Sequence, residues 1–335
     1  MEKSVWTLSQ VPEPELSTAV HDVWLQVLLG GSGRLSPMFI ASMLLICVAL
    51  YYSRKPGQGF WAWVFPRDVY RTTSFWVDAK LWLLGTVLAG VGVFSIVGFG
   101  PAIAQAIQTS LMGANAPQST WPPFVVGFIL MAAADFSSYW VHRISHEWPR
   151  LWPFHAVHHS AEVLNPITVN RKHPVYSLFS SLCGGVVIGT TQGLLLGLLI
   201  GEIEIATIMG ANLFYYAFHL AGANLRHTHI WLSFGRMAEH LVISPAQHQV
   251  HHSLDPRHFN KNYGEVLAIW DWMFGSLYVP QGYEELKFGL ADGRGRPVKQ
   301  PHPTLRAALW EPFVTAFRRK RPRTQMPEQP RVDQD

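Results

Sequence analysis

The sequence has few charged residues and few cysteines. Only 14% of its 335 residues are Asp, Glu, Lys or Arg, whereas soluble domains carry about 25%. Cys47 and Cys183 lie in apolar runs far apart, so no disulfide framework, zinc knuckle or thiolate iron centre is indicated. The net charge of +4 comes without the basic stripes of a nucleic-acid-binding protein, and no nucleic-acid partner is expected.

Common catalytic signatures are also missing. There is no His-Glu-x-x-His zinc-protease motif, because Glu147 follows a histidine pair instead of lying inside it. A Gly-x-Ser-x-Gly nucleophile elbow and a Gly-x-Gly-x-x-Gly dinucleotide signature are absent. No haem or flavin domain is recognisable. Electrons for a redox reaction would therefore come from a separate carrier.

Apolar runs occupy much of the chain, and five of them approach the length of about 20 residues that a membrane-spanning helix needs. They are residues 38–52, 81–104, 124–140, 175–200 and 203–220. Glu202 and Glu204 interrupt the last two, which could form one helical hairpin. The sequence predicts an all-α integral membrane helical bundle with four to five membrane segments.

Basic residues are unevenly distributed between these segments. Lys and Arg occur in 53–80, in 142–174 and after 221, but not in 105–120 or 201–204. Basic loops stay cytoplasmic, so we expect a multi-pass protein whose histidine-rich regions form a cytoplasmic cap. The expected regions are an N-terminal polar segment 1–35, a first membrane helix pair 36–120, a catalytic domain 121–280 and a basic, Pro-rich tail 281–335.

Histidines are numerous, sixteen in all, and most fall in two stretches, 142–173 and 219–258. Residues three or four apart share one face of a helix, and this spacing recurs in three sets. The sets are His142 and His146; His155, His158 and His159; and His248, His251 and His252. Imidazole suits iron, zinc and copper. Because one ion takes about four to six ligands, these eight residues, with His227 as a candidate ninth, indicate two metal ions.

A longer pattern surrounds the histidines. It comprises Asp135, Tyr139-Trp140, His142-Arg143 and His146; Leu151-Trp152, His155 and His158-His159-Ser160; Pro245, His248 and His251-His252-Ser253; and Asn262-Tyr263-Gly264, Trp270-Asp271 and Phe274-Gly275. This order resembles the fatty acid hydroxylase and sterol desaturase superfamily over about residues 121–280. The resemblance implies a membrane-embedded helical fold, a non-haem di-iron centre, O2 as co-substrate and a lipid substrate.

The resemblance also implies roles for individual residues. The implied metal ligands are His142, His146, His155, His158, His159, His227, His248, His251 and His252. Glu147 matches a glutamate of the alkylglycerol monooxygenase branch and, with Asp135 and Asp271, is a candidate catalytic residue. Acidic groups, including Glu239, could orient the imidazole rings. The pattern leaves His173, His219, His229, His240 and His258 without a role.

Hydroxylation of a lipid C–H bond is the first expectation and desaturation on the same site the second, and the residues do not distinguish them because both reactions share the site. The external electron donor would be a small haem cytochrome or a ferredoxin. A sterol, fatty acyl chain, sphingoid base, ether lipid or isoprenoid would each suit a membrane-buried site. A two-metal zinc hydrolase predicts zinc and activity without oxygen, whereas a transporter predicts polar residues inside the spans. The oligomeric state is left open.

Overall fold

The computed structural model describes residues 36–93, 99–113, 119–201 and 205–318, with the backbone alone for 205–212. Within these ranges the regular structure is helical, and β-pairing is limited to isolated bridges such as Val242 with Leu267, which confirms the all-α prediction there. The polar segment 1–35, residues Glu202 and Glu204, and the tail beyond residue 318 lie outside the described residues. The helices are α1 (Pro37–Arg54), α2 (Phe60–Val64), α3 (Arg67–Tyr70), α4 (Thr73–Gly90), α5 (Gly100–Met112), α6 (Pro123–Glu147), α7 (Trp152–His159), α8 (Pro174–Leu195), α9 (Ile205–Leu220), α10 (Pro245–His251), α11 (Ile269–Met273) and α12 (Leu305–Phe317).

Three of the described helices are long and apolar enough to cross a membrane. They are α1, α6 and α8, the last continued by a π-helical turn to Ile200. The predicted segment 81–104 lies in two helices, since α4 ends at Gly90 and α5 begins at Gly100. Two glycines, Gly90 and Gly92, occur where α4 ends, and glycine is a poor helix former. The predicted segment 203–220 contains α9, which has 16 residues.

Helices α5 and α8 pack unusually closely. A Cβ atom on Gly189 of α8 would clash with the carbonyl oxygen of Gly100, and one on Gly193 would lie 2.8 Å from the carbonyl oxygen of Ala104. Small residues spaced by four on a helix let two backbones approach each other in this way. Any larger residue at Gly189 would push the two helices apart.

A buried ion pair joins α4 to α7. Arg171 and Asp78 are both fully buried, and the guanidinium Nη1 lies 2.7 Å from Asp78 Oδ1. Arg171 Nε also donates to the carbonyl oxygen of Val157 in α7, at 2.7 Å. Asp78 Oδ2 accepts further hydrogen bonds from Asn165 Nδ2 and Thr168 Oγ1. Arg171, one of the basic residues of the 142–174 region, is therefore an internal residue and not a surface charge.

The first part of the predicted tail packs on the rest of the protein. Helix α12 lies against α7, with the Phe154 and Phe313 ring centroids 5.1 Å apart. The carbonyl oxygen of Leu309 is bound by His173 Nε2, at 3.1 Å. Helix α7, which carries three of the predicted ligands, is thus supported from two sides, by α12 and by Arg171.

Candidate metal centre

The structure brings the nine predicted histidine ligands together in two adjoining groups. The five-histidine group contains His142, His146, His155, His159 and His251, and the four-histidine group contains His158, His227, His248 and His252. Within each group, one donor atom per residue lies within 4.8 Å of every other. His159 and His252 join the groups, with stacked rings 4.4 Å apart.

Helix geometry explains how the residues divide. Each α-helical residue turns the side chain by about 100°, so residues four apart point the same way whereas adjacent residues diverge. The pairs spaced by four stay in one group: His142 with His146, His155 with His159, and His248 with His252. The histidine at the third position, His158 in α7 and His251 in α10, turns towards the other group. Each short helix therefore contributes to both.

The spacing of the ring nitrogens fits ligands of a shared ion. Nε2 of His155 lies 3.2 Å from Nε2 of His159. In the other group, His227 Nε2 lies 3.3 Å from His158 Nε2 and 3.0 Å from His248 Nε2. Imidazole nitrogens about 2.1 Å from one ion are roughly 3 Å apart when they coordinate at right angles.

Several buried ring nitrogens in the centre have no hydrogen-bond partner. They include Nε2 of His146, Nε2 of His251 and both nitrogens of His252. A buried polar atom without a partner costs about 1–3 kcal/mol, and such atoms are rare unless a ligand satisfies them. Imidazole-only donor sets suit iron, zinc or copper ions. The residues therefore fit a pair of transition-metal ions.

Burial keeps these histidines neutral. Desolvation, reinforced by neighbouring histidines, holds the pKa of His158, His159, His248 and His251 well below the ordinary value. Burial lowers the pKa of His252 to about 3. Neutral imidazole is the form that binds a metal ion, so these rings do not need to lose a proton first.

Two rings of the five-histidine group are oriented by the loop before α11. His142 Nδ1 lies 2.8 Å from the carbonyl oxygen of Tyr263, and His251 Nδ1 lies 2.7 Å from that of Lys261. A carbonyl can only accept, so Nδ1 donates in both neutral rings and Nε2 is left with a lone pair. Asn262, between them, is in the left-handed region with φ of 56°, a conformation that asparagine tolerates.

The predicted catalytic residues Asp135 and Asp271 hold this loop. Asp271 accepts hydrogen bonds from the backbone N–H groups of Tyr263 and Gly264, at 2.8 and 2.7 Å. Asp135 accepts from the N–H groups of Val266 and Leu267, both at 2.9 Å, and from an indole N–H. The structure places both carboxylates beside the loop backbone, and Asp271 reaches His142 only through the Tyr263 peptide.

The other two acidic residues lie in different surroundings. Glu147 is exposed and pairs with Arg143 Nε, at 2.8 Å. Glu239 is buried and accepts a hydrogen bond from Ser244 Oγ, at 2.6 Å. Ser244 also caps α10 by accepting from the Gln247 N–H. Glu239 therefore supports the start of α10, which carries His248 and His251 and is followed directly by His252.

Two cavities meet at the histidines. The larger, of about 600 Å³, lies among α5, α6 and α8. Its histidine wall consists of His142, His155, His158, His227 and His248. The smaller, of about 290 Å³, is lined by loops 253–260 and 289–293 together with Glu147. Its histidine wall consists of His146, His159, His251 and His252. The two histidine groups thus separate a cavity between helices from a cleft between loops.

The structure places the remaining histidines of the two stretches away from this centre. His229 Nε2 binds the carbonyl oxygen of Trp63, at 2.7 Å, and His240 Nδ1 binds that of Arg236. His258 Nε2 lies 3.1 Å from Glu284. His219 packs on the Phe39 ring. The contacts of His229, His258 and His219 join distant segments of the fold, whereas that of His240 is local.

Sequence reasoning missed three supports of the centre. The first is the Asp78–Arg171 pair behind α7, and the second is the pair of loop carbonyls that orient His142 and His251. The third is Gln249, whose side chain donates to the carbonyl oxygens of Leu225 and Ile230 and so fixes the segment that bears His227. A lone Asp before an apolar run was a signal for Asp78. The backbone carbonyls that orient His142 and His251 leave no such signal in the sequence.

Comparison with known proteins agrees with this geometry. The family model described as fatty acid hydroxylase matches residues 127–276. Over this region, the chain is similar to the fatty acid hydroxylase family. The match contains the nine histidines and the loop that orients two of them. No solved structure matches the chain.

Three curated proteins that are similar to the chain carry the names of lipid-modifying enzymes. Ornithine lipid hydroxylase OlsE of Rhizobium tropici is 30% identical over 58% of the chain and 56% of its own length. Alkylglycerol monooxygenase of Danio rerio is 30% identical over 51% of the chain and 34% of its own length. Delta(7)-sterol 5(6)-desaturase erg3C of Aspergillus fumigatus is 27% identical over 64% of the chain and 70% of its own length. The chain thus spans about a third to a half of the first two relatives.

Proposed function

We propose that the chain is a membrane-bound, non-haem di-iron oxidoreductase that uses O2 to hydroxylate a C–H bond of a lipid. The observation that carries this proposal is the pair of histidine groups, five and four residues, at the wall of a 600 Å³ cavity between helices. The family match over residues 127–276 and the similarity to a hydroxylase and a monooxygenase support the same chemistry.

The protein residues would divide the work between metal binding and positioning. When bound, the iron pair supplies oxygen activation and C–H cleavage, which side chains alone do not perform. The nine histidines would hold the ions, and the Tyr263 and Lys261 carbonyls orient two of the rings. Asp271 and Asp135 fix the loop that provides those carbonyls. The buried walls of the cavity exclude water from the reacting carbon.

The substrate would enter from the membrane, and the electrons would come from another protein. Three helices long enough to cross a bilayer support a multi-pass membrane protein, with the histidine centre on the cytoplasmic side as the basic loops predict. A small haem cytochrome or a ferredoxin is the proposed electron donor, and the basic regions would suit an acidic carrier.

Desaturation on the same centre is the second candidate. The observation that favours it is the similarity to a sterol desaturase, which covers 70% of that relative. Hydroxylation and desaturation begin with the same hydrogen removal and differ in whether an oxygen atom or a second hydrogen loss follows.

Lipid mass spectrometry of cells with and without the gene tests the proposal. A lipid that gains one oxygen atom indicates hydroxylation, and one that loses two hydrogen atoms indicates desaturation. The purified protein should contain iron in a ratio of about two per chain, as two ligand groups require. Zinc in place of iron, with activity that does not need oxygen, would establish a zinc hydrolase instead.

A further inference from the structure

The larger cavity has two chemically different ends. Beside the histidines it is lined by three charged residues, Lys172, Arg226 and Glu265. Away from them, its α8 wall carries no charged residue and consists mostly of small residues, such as Gly184, together with Ile188 and Gln192. Such a gradient matches an amphiphile, with a polar head and a hydrocarbon chain.

Among the described residues, the charged end is lined by two cations and one anion. Arg226 is almost fully buried, and its Nη1 donates to the carbonyl oxygen of Glu265, at 2.7 Å. Lys172 is exposed and directly follows the buried Arg171. Positive charge in a cavity with low-dielectric walls attracts an anion more strongly than the same charge in water. An ammonium such as that of Lys172 binds phosphate or carboxylate as a point charge.

The apolar end is long. The Tyr176 ring lies 4.6 Å from the His155 ring at the histidine end of α8. Gln192, which also lines the cavity, is sixteen residues further along α8, or about 24 Å at the helical rise. That length is close to the hydrocarbon thickness of a bilayer, about 30 Å. A lipid chain therefore has room along α8.

We infer that Lys172 and Arg226 bind a lipid head group that carries a carboxylate or a phosphate, while its hydrocarbon chain runs along α8 past Gly184. The head group then lies beside the histidines, so the carbon presented to them is near the head and far from the terminal methyl. The position of the oxidised carbon rests on the proposed function, whereas the binding site does not.

Equilibrium binding to the purified full-length chain in detergent tests the head-group site. The probes are two matched pairs: palmitoyl lysophosphatidic acid with monopalmitoylglycerol, and N-palmitoylglycine with its methyl ester. We expect the charged member of at least one pair to bind about tenfold more tightly, as a charge-assisted contact allows. Preference within one pair identifies the anion. Equal binding within both pairs would overturn the inference.

Two variants separate the charge from general effects on folding. Lys172→Met should abolish the preference for the charged probe, and Lys172→Arg should retain most of it. Lys299→Met removes an exposed lysine outside the cavity lining and should bind like the wild type. An unchanged preference in Lys172→Met would contradict a role for this residue.

A third variant tests the direction of the chain. A Cβ atom on Gly184 would meet only the Ile188 side chain, at 3.9 Å, so Gly184→Leu fits the helix packing but fills the cavity. This variant should weaken the binding of palmitoyl probes, relative to that of octanoyl probes, by about tenfold. Val187→Leu, at an exposed site on the same helix, should not change this ratio. An unchanged ratio in Gly184→Leu would exclude this path.

The product locates the reacting carbon. Tandem mass spectrometry should find the new oxygen or double bond within the half of the chain, or the head group, that lies nearer the polar end. Oxidation at the terminal methyl would overturn the orientation. If the charged probes bind preferentially but no oxygen-dependent product forms, the binding site stands and the proposed function fails.

Discussion

The two histidine groups are held in different ways. In the five-histidine group, His142 and His251 each bind a backbone carbonyl of the loop 261–263. In the four-histidine group, the short distances run between rings, from His227 Nε2 to His158 and His248. The first group has three members on the loop-lined cleft, and the second has three on the larger cavity.

This difference indicates how each site would respond to its metal ion. Rings that donate Nδ1–H to a backbone carbonyl keep their orientation without an ion, because this hydrogen bond sets both the tautomer and the direction of the ring. In the four-histidine group, Nδ1 of His158 and Nδ1 of His248 have no hydrogen-bond partner, so no such bond orients these two rings. We therefore expect the five-histidine group to bind its ion more tightly and the four-histidine group to release its ion first.

Removing one ligand from each group gives the largest expected effect. His251→Ala and His158→Ala should each lower the iron content to about one per chain and reduce product formation by at least about a hundredfold. Iron analysis and lipid mass spectrometry measure the two effects. His240→Ala, whose ring binds a backbone carbonyl outside the centre, is the matched control. Unaltered lipid products in both ligand variants would contradict the di-iron assignment.

Breaking the ion pair behind α7 should disturb both groups equally, because this helix carries ligands of each. Arg171→Met leaves Asp78 buried without its cation, which costs about 3–5 kcal/mol. The exposed Arg257–Asp255 pair, with Arg257 at 69% exposure, provides the comparison. Arg257→Met should leave the unfolding temperature close to that of the wild type, because exposed ion pairs contribute little to stability. Thermal unfolding in detergent measures the difference, and equal effects would mean that the Asp78 site is hydrated.

Histidine spacing predicted the composition of the centre but not its division. The sequence identified all nine residues that the structure brings together. The spacing allowed His155 to pair with either His158 or His159. The orientation of α7 in the folded protein decides that His159 shares the group of His155 and that His158 belongs to the other group. Arg171 was counted with the basic loop residues because one sequence cannot show that Asp78, 93 positions earlier, neutralises it. The break between α4 and α5 shows likewise that an apolar run of adequate length need not be one helix.

Supporting residues that serve one group each test the comparison directly. Asp271→Asn loosens the Tyr263 peptide that orients His142, whereas Gln249→Leu frees the segment that bears His227. Each should weaken iron binding at its own group by about 10- to 100-fold. Iron titration resolved into two sites measures this. A loss confined to the same group in both variants would show that the groups are not held independently.

Glu147→Gln has the smallest expected effect on the fold. Its side chain is 43% exposed, and it pairs with Arg143 across one helical turn, a contact worth at most about 1 kcal/mol. Iron content should stay at the wild-type level. Arg143→Met should lower the stability of the fold more than Glu147→Gln, because Arg143 Nη1 also donates to Tyr139 and to the carbonyl oxygen of Phe274.

Glu147→Gln tests whether Glu147 takes part in the reaction, because Glu147 lines the smaller cavity together with three members of the five-histidine group. Because Glu147 is the predicted catalytic residue on that side, the Glu147→Gln variant should have a lower turnover, with the unfolding temperature and iron content of the wild type. Turnover equal to that of the wild type would remove Glu147 from the reaction. Loss of iron would instead make it a support of the five-histidine group, comparable to Asp271.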